Sequence, residues 1–267
     1  MPASVPAPPP AAPGPQSVDR ALDLLDAVAE APGPVTAKAL ARRLGCGLST
    51  VYALLGSLTA RGHLTRSAAG YTLGYRLPAL HRAFQRQMRI DDGLHEVLLR
   101  VRRVAGADAY FSAYRDGEIA VLDGTTAIHD TEAVFSVGQE TTAHATAHGK
   151  VLLSALPRAA RHQYLAARGM RRMTPRTITS PDRFDLELRR VRRDGFAVEI
   201  EEAQAGMACV AVPVRATAGP AGGARSRPVT AISAALPLAE FTRHRRSLTE
   251  AIRRAAVEAE GLTVHDV

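Results

Sequence analysis

Tryptophan is absent from this 267-residue chain, and Phe, Trp and Tyr together make up only 4% of it. Its cores must therefore be built from Ala, Leu and Val rather than from large rings. Cysteine occurs twice, as Cys46 and Cys209. Two thiols cannot make a disulfide framework or a cysteine-based zinc site, and their scarcity points to a reducing compartment. No apolar run approaches the roughly 18 residues that span a bilayer. The first fifteen residues hold seven prolines and no charge. Lacking a basic n-region and an apolar h-region, residues 1–15 read as a disordered tail, not a secretory signal. The expectation is a soluble, cytoplasmic protein with no membrane partner. Lysine is scarce too: of 34 basic residues only Lys38 and Lys150 are lysine. With the heavy use of Ala, this reflects a GC-rich genome, so arginine abundance alone says little about phosphate binding.

The most informative absence is local. Residues 31–90 contain no Asp or Glu, yet Lys38, Arg42, Arg43, Arg61, Arg66, Arg76, Arg82, Arg86 and Arg89 all fall inside. Acidic residues stand immediately before this stretch, at Asp19, Asp23, Asp26 and Glu30, and the remainder of the chain mixes both signs. A positive surface confined to one small region, within a net charge of +8, suits a nucleic-acid domain because phosphate contact supplies most non-specific affinity. A merely solubilising basic face is the plainer alternative. What remains is ordinary for a core-forming protein: 46% hydrophobic and 22% charged residues exclude wholesale disorder, and the length suits two domains.

The basic region has a readable local structure. Ser17 is placed to cap a helix running to about Glu30, with Val18, Ala21, Leu22, Leu25 and Val28 on one face. Pro32-Gly33-Pro34 stops it. Thr36 caps a second short helix that Gly45 ends. Ser49 is placed to cap a third, with Val51, Leu54, Leu55 and Leu58 on its apolar side. Two short alternating strands then flank Ala68-Ala69-Gly70, giving a hairpin. Helix, helix, Gly-containing turn, helix and hairpin make a winged helix-turn-helix over residues 16–76. Its third helix is expected to enter the major groove N-terminus first, presenting Ser49, Thr50, Tyr52 and Ser57, with Arg61 beyond and Arg66 on the wing. Lys38 joins them as a phosphate contact. The alternatives for two of these are a Tyr52 that packs inward and a Ser49 that only caps.

The segments SVDRALDLLDAVAE, LSTVYALLGSLTARGHL and GYTLGYRL resemble the IclR family of bacterial transcriptional regulators. Members of that family typically carry a basic residue where this chain has Leu48, and often an Arg where it has Ala53. Two expected DNA contacts are thereby removed, and readout shifts toward Tyr52, Ser57 and the wing.

A basic, glycine-free linker helix is expected over residues 77–93, broken by Asp91-Asp92-Gly93. Residues 94–262 then read as an α+β domain. An amphipathic helix covers Leu94 to Val104. Strands are expected at 107–114, 118–122, 196–200, 209–214 and 229–235. Helices are expected near 150–156, 158–168, 182–194 and 238–260, around a mostly antiparallel sheet. Pro213 suggests an edge or bulge, and residues 216–228, rich in Gly, Ala and Pro, a mobile loop. The stretches HATAHGKVLLSALP, MTPRTITSPDRF, RRDGFAVEIEE and GMACVAVPV resemble the GAF-like effector-binding domain of the same family, so the likeness extends over about 16–261. The implied fold is a winged helix-turn-helix joined by a linker helix to that α/β domain.

The resemblance also implies a ligand site for a small organic acid or aromatic, made by Ala147, His148, Glu199, Met207, Cys209 and Ser233. Ala147 and His148 would stand at a helix N-terminus, where free N–H groups favour a carboxylate. His148 stands where a small residue is usual, and Ala235 where a second Ser is common. Core filling is the alternative for Cys209 and Met207.

Enzymatic readings find little. His144 and His148 have zinc-helix spacing, but Ala145 replaces the Glu of the metalloprotease motif. Gly149-Lys150 lacks the rest of a P-loop, no nucleophile elbow occurs, and the adjacent Glu201 and Glu202 read as a solvated surface. No catalytic residue, metal or cofactor is expected. The function expected is a ligand-responsive DNA-binding regulator acting as a homodimer on a palindromic operator, with dimers pairing into tetramers by resemblance. The alternative is a small-molecule sensor with degenerate DNA specificity.

Overall fold

The computed structural model describes residues 15–88, 91, 93–125, 138–215 and 229–262. The remainder of the proline-rich tail, residues 89, 90 and 92 of the expected linker helix and the Gly/Ala/Pro-rich segment 216–228 lie outside the described residues. The chain divides into two compact units, Met1–Gln87 and Met88–Val267.

In the first unit, α1 (Gln16–Ala29), α2 (Ala37–Leu44) and α3 (Leu48–Ala60) precede a two-stranded sheet of β1 (Leu64–Arg66) and β2 (Tyr71–Leu73), and α4 (Arg76–Met88) follows. Thr36 caps α2, its hydroxyl accepting the Ala39 N–H at 3.3 Å. Gly45 ends that helix with φ 61°, a conformation that glycine adopts without Cβ strain. Two expected caps are corrected. Helix α1 begins after Pro15, whose fixed φ suits the cap position, so Ser17 lies inside the helix. Helix α3 begins after Gly47 in extended conformation, so Ser49 is its second residue and caps nothing. The α1 stripe is corrected as well. Burial starts at Leu24 and continues through Ala27 and Val28, whereas Val18 and Leu22 are more than half exposed. Leu24, Val28, Leu40, Val51, Leu55 and Leu64 form the core. The hairpin pairs Leu64 with Leu73 and Arg66 with Tyr71. Tyr71 also bridges Val35, tying the hairpin to the segment ahead of α2. Gly70 permits this, since a Cβ there would meet the Val35 carbonyl at 2.6 Å.

Among the described residues, the second unit is a six-stranded sheet with helices on both faces. Its elements are α5 (Gly93–Ala105), β3 (Asp108–Arg115), β4 (Glu118–Gly124), β5 (Gly138–Gln139), α6 (Ala147–Ala155), α7 (Arg158–Arg168), α8 (Pro181–Asp194), β6 (Ala197–Ile200), β7 (Met207–Val214), β8 (Val229–Pro237) and α9 (Leu238–Glu260). The order is β5-β4-β3-β8-β7-β6, antiparallel throughout. Alternation along each strand divides the core by face. Ala109, Phe111, Val210, Val212, Ile232 and Ala234 pack with α5 and α9. Tyr110, Cys209, Ala211, Ala231 and Ala235 pack with α6, α7 and α8. Pro213 lies beyond Ala211, where pairing with β6 ends, so its missing N–H breaks no ladder on that side. Among the described residues, no helix is long and apolar enough to cross a membrane.

Candidate functional site

In the first unit, α3 presents an exposed face. Burying Val51 and Leu55 turns Ser49, Tyr52, Ala53, Gly56 and Ser57 outward, one helical turn after another. Tyr52 is half exposed, which rules out the inward-packed alternative. Thr50 is partly covered at the edge of this face, Arg61 caps the C-terminus of α3 and is exposed, and Lys38 is exposed on α2. Arg66 is exposed on β1, with its guanidinium 6.0 Å from the centre of the Tyr71 ring. These groups can hydrogen-bond to phosphates and base edges.

The second unit contains a buried polar cluster under α6. Thr146 caps that helix, its hydroxyl accepting the Gly149 N–H at 3.1 Å. The helix can sit this low because residue 149 is glycine: a Cβ there would fall on the Ala143 backbone. Helix α6 thus begins at Ala147, three residues ahead of the expected 150, with every residue from Ala147 to Ser154 buried. On the sheet below, the register sets Glu199 opposite Cys209 and Cys209 opposite Ala235, while Ser233 lies opposite both Ala211 and Tyr110.

Five of the six expected ligand residues, Ala147, His148, Glu199, Cys209 and Ser233, are fully buried. Met207, at the start of β7, is partly exposed. The Ala147 N–H is directed at the Cys209 thiol, so this helix-end donor is already engaged. His148 Nε2 lies 3.1 Å from Glu140 Oε2 and 3.3 Å from Thr146 Oγ1. Burial works to raise the Glu140 carboxyl, but hydrogen bonding and charge from His148, with the Thr142 amide and hydroxyl, outweigh it and hold it below its ordinary value. The Glu199 carboxyl goes the other way. Burial pushes it up to about 7, only partly offset by the Glu202 N–H at 2.9 Å and the Ala203 N–H at 3.4 Å on its Oε2. Burial, reinforced by Glu199, also pushes the Cys209 thiol up.

Residues that local reasoning missed complete the cluster. Lys150 is fully buried and its Nζ lies 2.5 Å from Glu202 Oε1 and 3.7 Å from Glu187 Oε1. Glu202 is therefore not part of a solvated surface. Only Glu201 has that character, paired with the exposed Arg176. Ser112 on β3 is buried on the same sheet face as Tyr110 and Tyr114. Among the described residues, Ser112 Oγ, Ser233 Oγ and Glu199 Oε1 find no oxygen or nitrogen partner, and Ser233 has only the Cys209 thiol beside it. His144 is engaged elsewhere, its Nε2 2.9 Å from the Arg171 carbonyl. The two histidines therefore do not converge on one point.

Residues 83–259 match the model of the bacterial transcriptional regulator IclR C-terminal domain, and residues 17–68 that of the IclR helix-turn-helix domain. The HTH-type transcriptional regulator BhcR of Paracoccus denitrificans is 30% identical over 211 residues, covering 78% of this chain and 75% of that protein. The crystal structure of the Thermotoga maritima IclR shares the fold with a TM-score of 0.69 at 23% identity, covering 92% of this chain and 99% of that one. An IclR homologue from Microbacterium hydrocarbonoxydans, solved in complex with 4-hydroxybenzoate, gives 0.70 at 21% identity over 92% and 98% of the two chains. Matches over both units, in the same order along the chain, make this protein a member of the IclR family of transcriptional regulators.

Proposed function

We propose that this regulator binds a palindromic operator through α3 and the wing, and that a small organic acid or aromatic held beneath α6 sets its affinity for that operator. The observation that carries the ligand reading is the set of three buried oxygens, Ser112 Oγ, Ser233 Oγ and Glu199 Oε1, left on one sheet face without oxygen or nitrogen partners among the described residues. Buried polar groups are nearly always satisfied, and each one that is not calls for a missing partner. A ligand with a carboxylate or phenol supplies donors and acceptors to such a set. The 4-hydroxybenzoate bound by the Microbacterium homologue has this chemistry. Ala147, His148, Cys209 and Met207 form the remaining wall, and His148 with Glu140 makes it more polar than a small residue would. A thiol raised by burial and a histidine already facing a carboxylate favour binding over catalysis here.

On the DNA side, Ser49, Thr50, Tyr52 and Ser57 read base edges, while Lys38, Arg61 and Arg66 hold phosphates. Leu80 and Phe84, one turn apart on α4 and both exposed, support pairing of two chains through that helix. Dimers then pair into tetramers. A two-fold dimer requires two half-sites spaced by whole helical turns. The ligand acts by favouring one of two arrangements that differ in DNA affinity.

Calorimetric titration of the full chain with 4-hydroxybenzoate and with short-chain carboxylic acids tests the ligand reading. Binding by at least one of them, weakened tenfold or more in both Ser112→Ala and Ser233→Ala, is expected. Binding that both variants leave unchanged would place the ligand elsewhere.

A further inference from the structure

We propose that a groove beside the start of α8 is a second binding site, distinct from the cluster under α6, for a small multiply charged anion that offers phosphate or carboxylate oxygens. The groove has a volume of about 500 Å³, within the range of metabolite-sized sites. Four guanidinium groups from three separate segments line it: Arg172 and Arg176 from the loop before α8, Arg183 from its first turn, and Arg245 from α9. Exposed like charges normally spread apart or take counter-ions, and a cleft lined by one sign concentrates ions of the other.

The carboxylates near the groove are largely engaged elsewhere. Glu202 lines it, with its Oε1 on the buried Lys150 at 2.5 Å and its Oε2 buried without a hydrogen-bond partner among the described residues. Among the described residues, Glu201 pairs with one arginine, Arg176, at 3.1 Å. Among the described residues, Arg172, Arg183 and Arg245 form no ion pair with a carboxylate. Two of these three are also held in place. Arg172 donates to the Pro175 carbonyl at 3.3 Å and to Thr179 Oγ1 at 3.4 Å. The guanidinium of Arg245 lies 5.9 Å from the centre of the Phe241 ring. A fork fixed in position loses less entropy on meeting an oxyanion, which is why arginine outperforms lysine at such sites. Ile178 and Val198 give the groove an apolar wall. The ligand therefore combines at least two negative charges with a body that tolerates apolar contact.

The groove also touches the machinery under α6. Glu202, on its edge, is bonded through its amide to Glu199 and through its side chain to Lys150. An anion here sits one residue contact away from the proposed ligand cluster without sharing the sheet face beneath α6.

The test is calorimetric titration of the full-length protein with pyrophosphate and, separately, citrate, in a low-salt buffer of fixed ionic strength. Expected is a saturable site for at least one probe, weakened tenfold or more in the double variant Arg172→Ala/Arg245→Ala and clearly weakened in Arg183→Ala. The exposed Arg189→Ala on α8, outside the groove, should bind as the unaltered protein does. Pyrophosphate alone binding identifies phosphate oxygens as the recognised chemistry, citrate alone identifies carboxylates, and both identify the oxyanion in general. Circular dichroism of each variant confirms that the fold is kept, and Arg183→Ala serves if the double variant is misfolded. No saturable binding at millimolar probe overturns the proposal, as does binding that the groove variants leave intact or that Arg189→Ala weakens equally.

Discussion

Glu199→Gln should change how stability depends on pH. Folded, the Glu199 carboxyl titrates at about 7 because it is buried, against an ordinary value of 4.5. A proton held more tightly in the folded state stabilises it wherever that proton is bound. The contribution is therefore complete below pH 4.5 and lost as pH rises through 7. At ~1.4 kcal/mol for each pH unit separating the two values, and with part of the change falling outside this window, the loss comes to about 2.5 kcal/mol between pH 5 and 8. Glutamine keeps an oxygen for the Glu202 and Ala203 N–H groups but cannot ionise, so the variant lacks this loss. Groups that do not interact with Glu199 act on both proteins and cancel in the difference, whereas Glu202, whose carboxyl is also raised by burial against the pull of Lys150, repels an ionised Glu199 and so belongs to the measured difference. Urea unfolding followed by circular dichroism at pH 5, 6, 7 and 8 measures it, using the transition of the second unit. The unaltered protein should lose about 2.5 kcal/mol more than the variant over that range. Parallel profiles would refute the reasoning.

Other perturbations are as specific. Lys150→Met leaves Glu202 buried without its cation and should destabilise the second unit by about 3–5 kcal/mol, read by the same unfolding experiment. Gly56→Ala on the exposed face of α3, where a Cβ meets nothing within 4 Å, should stabilise the first unit by roughly 0.8 kcal/mol through helix propensity; a loss of stability would mean this face is not free. Arg61→Ala and Arg66→Ala should each weaken DNA binding and lower the salt slope by about 0.9, as expected for one lost phosphate contact. An unchanged slope removes that residue from the phosphate interface.

What the sequence made legible was governed by neighbouring residues. The Thr36 cap, the left-handed Gly45, the α7 and α9 spans and the alternation of the longer strands follow from local chemistry, and the structure has them. Serine's preference for helix caps misled at Ser17 and Ser49 because Pro15 and Gly47 already supplied the non-helical backbone that a cap needs. Periodicity gives the apolar face of α1 but not how far along the helix the partners reach: Leu25 and Val28 meet the core, whereas Val18 and Leu22 are exposed. The two-residue β5 carries no pattern to detect. In the buried cluster, Glu199, Cys209 and Ser233 entered through resemblance, whereas Ser112 and the Lys150–Glu202 and His148–Glu140 pairs did not. Lys150 and Glu202 are separated by 52 positions, and only the tertiary fold brings such groups together. Glu201 and Glu202 illustrate the same limit: adjacent and identical in type, they differ because one side chain meets Arg176 at the surface and the other a lysine in the core.

The central claim is that this chain recognises a particular DNA sequence. Fluorescence anisotropy tests it most directly, with the DNA upstream of the protein's own gene compared with a scrambled duplex across a salt series. A specific regulator should bind the native fragment more tightly and keep that preference at moderate salt, because base contacts persist as the counterion contribution fades. Equal binding of both duplexes, falling steeply together with salt, would contradict the claim for this fragment and leave only a basic surface at work.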